Sequence, residues 1–189
     1  IRVKENLTVK NVSFFLAGIV LFSIATSILF TPLPVFFSRF LLTPPSIVFA
    51  IFLLNSLGGF FGYVCARGRS ERIGDETLVK NAAILRSALS ISLTLTILWF
   101  SMATFLLSVA VLITMGIVYG FFHISTVSLS MELIPEGKAG TYSALIGLGG
   151  ALGCFIGPFI ADRFSFSWLF ATSSIFFCLS FIAFQRFAK

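Results

Sequence analysis

The chain has 189 residues, of which 58% are hydrophobic and only 11% are charged, and its mean hydropathy is +1.06. One soluble core cannot bury so much apolar side chain, so the composition excludes a soluble globular domain. The net charge of +6 does not indicate nucleic-acid binding, because the basic residues are not interleaved with aromatic ones and no soluble fold presents them.

Charged residues divide the sequence into long uncharged segments. Four of them, 11–38, 40–66, 139–161 and 164–185, contain 22 to 28 residues each. About 20 apolar residues in a helix cross the hydrocarbon of a bilayer, so each segment predicts one transmembrane helix. The fifth segment, 87–131, has 45 residues and would be about 67 Å long as one helix, so it must turn back and cross twice. The sequence therefore predicts an all-α polytopic membrane protein with six transmembrane helices.

The predicted spans follow one another through short connections. After a lead-in of residues 1–10, one membrane domain of residues 11–189 contains spans at 11–40, 45–66, 79–99, 102–131, 139–161 and 166–187. Pro32 and Pro34 predict an irregular outer end of the first span, because each removes a backbone donor. Pro45 suits the first turn of the second span.

Charged residues are concentrated between the second and third spans. The stretch 67–76 is the most charged in the sequence, and we expect it to be the main inner loop. Arg86 lies near the start of the third span, and we expect its long side chain to reach back to the headgroups.

The distribution of basic residues predicts the orientation in the membrane. Arg39 and Arg163 fall on one face of the predicted topology, and the other 11 of the 13 Lys and Arg residues fall on the opposite face. The face rich in Lys and Arg is normally cytoplasmic, so we expect a multi-pass plasma-membrane protein with both termini in the cytoplasm. Trp99 and Trp168 then lie at outer turns, where indole rings favour the membrane interface.

Glycines repeat along one face of the fifth span. Gly149, Gly153 and Gly157 stand at intervals of four residues, which leaves a bare stripe that another helix backbone can approach closely. We interpret the stripe as a helix-packing face, and the alternative is that the smooth contact also lets the helix slide during transport. The second span has a weaker glycine cluster of the same kind.

The sequence offers few groups for catalysis. Asp75 and Asp162 are its two aspartates and both fall in predicted loops, so paired carboxylates for Mg²⁺ cannot form. His123 is the single histidine, which excludes a two-histidine zinc motif and a haem with two histidine ligands within this chain. We therefore expect no enzyme activity, no catalytic residue, no metal site and no cofactor.

His123 lies within the fourth span, where an ionisable group is a candidate for function. The alternative is a neutral imidazole that bonds a Ser or Thr of a neighbouring helix or lies near the inner interface. Five further polar side chains are candidates for a substrate cavity, although Ser and Thr in apolar helices commonly bond their own backbone. They are Asn55, Tyr63, Thr114, Tyr119 and Ser128.

Three pieces of the sequence are similar to parts of a known family. The first is Glu71-Arg72-Ile73-Gly74, the second joins residues 135–140 to the glycines of the fifth span and Pro158, and the third joins residues 162–163 to 168–170. Together they resemble the C-terminal half of a major facilitator superfamily transporter. In that resemblance Glu71, Arg72 and Gly74 match the inner-loop motif between the second and third helices of each half.

The resemblance implies two inverted repeats of three helices, about residues 11–99 and 102–187, and a second six-helix half. It also implies a substrate at mid-membrane between the halves, moved by alternating access. Proton coupling needs a titratable group near mid-membrane, and these spans offer at most His123. Either the coupling residues lie in the second half, or the protein carries out facilitated diffusion of a small solute that is neutral or amphipathic. The alternative is a non-catalytic six-helix subunit that packs within a larger membrane complex. Since the chain starts at Ile1, both a piece of a longer protein and a half-sized protein remain open.

Overall fold

The computed structural model describes residues 9–98, 102–134 and 140–188. These residues form six long helices: α1 (Val9–Phe30), α2 (Pro45–Ile73), α3 (Asp75–Leu98), α4 (Met102–Leu133), α5 (Gly140–Arg163) and α6 (Phe166–Phe187). Six helical segments are long and apolar enough to cross a membrane, and the described residues contain no strand. The predicted all-α fold with six spans is confirmed.

The first span has the irregular end that its prolines predict. α1 stops at Phe30, and the chain continues through a helical turn, Leu33–Val35, and a π-helical turn, Phe36–Phe40. α2 then begins at Pro45, as expected. We call this end of the bundle the far end, and the end where α1 begins and α6 finishes the terminal end. Trp168 is 64% exposed at the far end, whereas Trp99 lies outside the described residues.

The prediction that residues 67–76 form a loop is wrong, because α2 and α3 are separated by Gly74 alone. Charges keep a segment out of hydrocarbon but do not prevent it from continuing as a helix in water. Arg67 and Glu71, one turn apart, form an ion pair with 3.4 Å between Nε and Oε1. Asp75 and Glu76 occupy the first turn of α3, where carboxylates stabilise the positive end of the helix dipole.

The helix pairing has an internal symmetry. The most extensive contacts pair α1 with α5 and α6, α3 with α6 and α4, and α2 with α4. This set of pairs is unchanged when α1 is exchanged with α4, α2 with α5 and α3 with α6. The pairing is consistent with two repeats of three helices, in which α2 and α5 each pack on the first helix of the other repeat.

Glycines allow the closest approach between helices in both of these swapped pairs. A Cβ atom added at Gly153 would lie 2.5 Å from the carbonyl oxygen of Ile24, so α5 lies directly on the backbone of α1. A Cβ atom at Gly58 would lie 2.7 Å from the carbonyl oxygen of Ile113, which places α2 equally close to α4. A side chain at either glycine would keep the two helix backbones apart at that point.

Serine hydroxyls join α6 to its two neighbours. Ser173 donates a hydrogen bond of 2.9 Å to the carbonyl oxygen of Ala25 in α1, and Ser90 of α3 donates one of 2.9 Å to the carbonyl of Phe170. Lipid tails are as apolar as the helix faces, so association in a membrane relies on close packing and such interhelical bonds. These contacts hold α1, α3 and α6 together behind the cavity described next.

Candidate functional site

A cavity of about 360 Å³, which we call the main cavity, lies among α1, α2, α3 and α4. Ser56 and Tyr63 on its edge are exposed, so the cavity reaches the surface of the six-helix body. Its volume falls in the range of small-molecule sites. The lining residues are Thr26, Phe30, Asn55, Ser56, Gly59, Tyr63, Arg86, Gly116 and Tyr119.

Arg86 is the charged residue among those that line this cavity. The prediction that its side chain reaches the headgroups is wrong. The side chain is buried inside the bundle, with 1% of its surface exposed. Because α3 already begins at Asp75, Arg86 lies about 17 Å from either end of the helix. Arg86 therefore lies near the middle of the candidate membrane span Asp75–Ile97, and its side chain is held inside the bundle.

Two neighbouring helices hold the Arg86 guanidinium through hydrogen bonds. Nη1 donates to the hydroxyl of Thr26 in α1 at 2.7 Å, and Nη2 donates to the carbonyl oxygen of Met115 in α4 at 3.3 Å. The buried Nε has no partner among the described residues. These bonds use two of the five N–H groups that an arginine carries.

Four aromatic rings surround the same guanidinium. Its central carbon lies 5.2 to 5.4 Å from the ring centroids of Phe22, Phe30, Tyr119 and Phe177. Ring faces attract a cation, so the four rings offset part of the cost of taking the charge out of water. They bring no negative charge, and no described carboxylate comes within ion-pair distance of Arg86.

His123 lies beside a second, smaller cavity of about 90 Å³ between α1, α4 and α5. Thr26 and Tyr119 line both cavities, so the two are neighbours. The imidazole contacts the rings of Tyr63 and Tyr119, with centroid distances of 5.6 and 5.8 Å. Its Nδ1 is buried and has no hydrogen-bond partner among the described residues. Within that part of the chain, Nδ1 therefore does not make the bond to a Ser or Thr that the alternative interpretation of the imidazole describes.

The structure brings most of the sequence-predicted cavity residues together. Asn55, Tyr63 and Tyr119 line the main cavity, and His123 lines the second one. Thr114 and Ser128 line neither. The hydroxyl of Thr114 donates to the carbonyl of its own helix four residues earlier, at 2.9 Å, as the alternative interpretation expects.

Asn55 has a packing contact in addition to its place in the cavity wall. Its Nδ2 donates to the carbonyl oxygen of Leu112 at 2.6 Å and so ties α2 to α4. Tyr63 lies two turns further along α2, where its ring is exposed at the cavity edge. In the wall that α2 contributes, Asn55 is thus held against α4 by its hydrogen bond, whereas Tyr63 lies exposed at the edge of the cavity.

The inner-loop motif lies away from both cavities. Glu71 and Arg72 occupy the exposed last turn of α2 at the terminal end, and Gly74 adopts a φ of 81° between the two helices. The glycine stripe lies at the contact between α5 and α1. Gly149, Gly153 and Gly157 are buried against α1.

Sequence reasoning missed Arg86, Thr26 and Phe30 as site residues. Arg86 bounds an uncharged segment of the sequence, and this pattern predicts a position near a helix end. The informative signal is Asp75-Glu76, because an acidic first turn marks the start of α3 three turns before Arg86. Thr26 and Phe30 carry no signal of their own, since they are ordinary members of an apolar helix.

Comparison with known families agrees with the six-helix membrane fold. A family model described as Major Facilitator Superfamily matches residues 3–158, which is most of the chain. A comparison with curated proteins finds no match. The match extends from before α1 to within α5 and so contains every residue that lines the main cavity. The chain therefore belongs to the major facilitator superfamily, a family of membrane transporters.

Proposed function

We propose that this chain forms one six-helix half of a transporter that moves a small amphipathic solute across the plasma membrane by alternating access. The main cavity is the observation that carries the proposal. It lies at the depth of Arg86, near the middle of the span, and it reaches the surface of the six-helix body. Transporters built from repeats bind their substrates at this depth between the repeats, and a second six-helix half closes the site.

The chemistry of the wall favours an amphipathic solute. Phe30 and Tyr119 supply aromatic rings, while Asn55 and Ser56 supply polar groups on the facing helix. A pocket of this kind excludes water from an apolar body and orients it through a few polar contacts. A purely neutral solute fits the buried Arg86 cation less well than a solute with a negative charge does.

The proposed orientation places the terminal end in the cytoplasm. Among the described side chains, the basic groups near that end belong to Arg67, Arg69, Arg72, Lys80 and Arg186. Arg39 and Arg163 lie at the far end. Arg86 belongs to neither end, so ten of the remaining twelve Lys and Arg residues in the sequence support the orientation.

Cysteine accessibility from both sides of the membrane tests alternating access. In a background without Cys65, Cys154 and Cys178, we introduce Ser56→Cys at the exposed edge of the cavity. Impermeant thiol reagents are then added to intact cells and to inverted vesicles. A transporter exposes this position to each side in turn, so we expect labelling from both.

Phe155→Cys is the matched control. Phe155 is 82% exposed on the membrane-spanning surface of α5 but lines no described cavity. We expect it to resist impermeant reagents from both sides. If Ser56→Cys reacts from one side only, access does not alternate, which favours the non-catalytic subunit considered above. Resistance from both sides would equally contradict the proposal.

A further inference from the structure

We infer that the transported solute is an organic anion, and that Arg86 binds its carboxylate or phosphonate-like group in the main cavity. This inference rests on the proposed transport function and specifies the substrate class. The charges around the cavity are not balanced. Arg86 carries a positive charge at mid-membrane depth, while every described carboxylate belongs to a residue near a helix end.

The protein groups around Arg86 are all neutral. Thr26 and Met115 accept hydrogen bonds, and the four surrounding rings attract the cation through their faces. These contacts reduce the cost of burying a guanidinium, but they do not cancel its charge. Charges within membrane spans are normally paired or exposed to a water-filled path, and an unpaired one marks a functional site.

The guanidinium still has donors to offer. Three of its five N–H groups make no described hydrogen bond, and one of these is on the unpartnered Nε. Arg86 also belongs to the wall of the cavity, with 1% of its surface exposed, so a molecule in the cavity lies next to it. A planar guanidinium recognises planar or tetrahedral oxyanions through paired, charge-assisted hydrogen bonds.

The rest of the wall selects against a bare inorganic ion. Phe30 and Tyr119 present rings, and Gly59 and Gly116 present backbone without side chains. The cavity volume of about 360 Å³ is much larger than a single oxyanion needs. The occupant that fits both the cation and the apolar walls is a small organic acid with an aromatic or aliphatic body.

Ligand-dependent thermal stability of the purified full-length transporter tests this inference. The probes are sodium benzoate, sodium phenylphosphonate and the neutral benzamide, each titrated at constant ionic strength and constant chloride. An anion that binds the folded state raises Tm by several degrees once its concentration is about 100 times Kd. We expect at least one of the two anions to raise Tm, and benzamide to leave it unchanged.

Two substitutions assign the effect to the guanidinium. Arg86→Gln keeps a hydrogen-bonding side chain without the charge, and we expect it to abolish the anion-dependent shift. Arg86→Lys keeps the charge without the planar fork, and we expect a weaker shift that needs more anion. The elution profile of each variant reports whether it folds.

A second pair of variants tests the positioning of Arg86 without removing its charge. Thr26 and Thr94 each donate to the carbonyl four residues earlier, but only Thr26 also accepts a described bond from Arg86. We expect Thr26→Val to weaken the anion effect and Thr94→Val to preserve it. This pair remains informative if the Arg86 variants do not fold.

The outcomes separate this inference from the transport proposal. Equal Tm values with both anions and with benzamide would overturn the inference. An anion effect that persists in Arg86→Gln would also overturn it. Neither result touches the two-sided labelling of Ser56→Cys, which tests transport without reference to charge.

Discussion

Adding one methyl group at Gly153 tests whether α5 and α1 are in backbone contact. In Gly153→Ala the new Cβ atom would lie 2.5 Å from the carbonyl oxygen of Ile24 and 2.7 Å from Cβ of Ser27. Both neighbours are rigid parts of α1, and neither can rotate away. The helices must therefore separate by about 0.9 Å to reach the 3.4 Å at which ordinary contacts begin.

The cost follows from the contacts that such a separation loosens. Gly149 and Gly157 make equally close contacts with α1, so the whole interface opens with Gly153. A radial gap of 0.5–1 Å loses roughly a quarter to a half of the dispersion energy of each contact. Overpacking of this kind costs about 1–3 kcal/mol, which lowers Tm by about 2 to 12 °C in a domain of this size.

Gly147→Ala is the matched control in the same helix. Gly147 is exposed, and a Cβ atom there would have no neighbour within 4 Å. We expect this change to be neutral or slightly stabilising, because alanine favours the helix more than glycine does. The measurement is the apparent Tm of the purified full-length protein in detergent. Equal Tm values for the two variants would refute the close contact of α5 with α1.

Three further predictions concern the connections and the second cavity. We expect Gly74→Ala to destabilise the folded protein by about 1–3 kcal/mol, because the Gly74 backbone has a φ of 81° and a ψ of 149°, which suit glycine alone. The control Gly68→Ala, within α2, should stabilise the helix slightly. Similar Tm changes for the two variants would contradict this prediction. In intact cells a cysteine at exposed Gly68 should resist impermeant reagents and one at exposed Phe164 should react, and the reverse result would invert the topology. If His123 takes part in coupling, its titration changes transport between about pH 5 and 8, and His123→Gln should flatten the pH profile of uptake. Superimposable profiles for the wild type and His123→Gln would leave His123 as a packing residue.

The number and order of the helices could be predicted because hydrocarbon imposes a simple rule on sequence. Charges cannot remain in the bilayer core without special arrangements, so uncharged segments mark the spans almost directly. The break after α1 was equally predictable from Pro32 and Pro34, since proline lacks the backbone donor that a helix requires. The sixth helix, Phe166–Phe187, has the predicted bounds.

The position of Arg86 could not be predicted by the same rule, because the rule assumes that a charge marks a helix end. The real start of α3 depends on Gly74, whose positive φ ends one helix and allows the next to begin at Asp75. That starting point places Arg86 three turns deep. The aromatic rings that surround it come from α1, α4 and α6, and no local pattern indicates which helices meet there.

The packing of α2 on α4 connects the architecture of the bundle to its cavity. Gly59 and Gly116 both line the cavity and both lie where the two helices touch. Because neither has a side chain, α2 can approach α4 closely enough for the Asn55 amide to bond the Leu112 carbonyl. A larger residue at Gly116 would therefore separate the helices, because its Cβ atom would meet the Asn55 backbone, and it would add bulk to the wall of the cavity that Arg86 also lines.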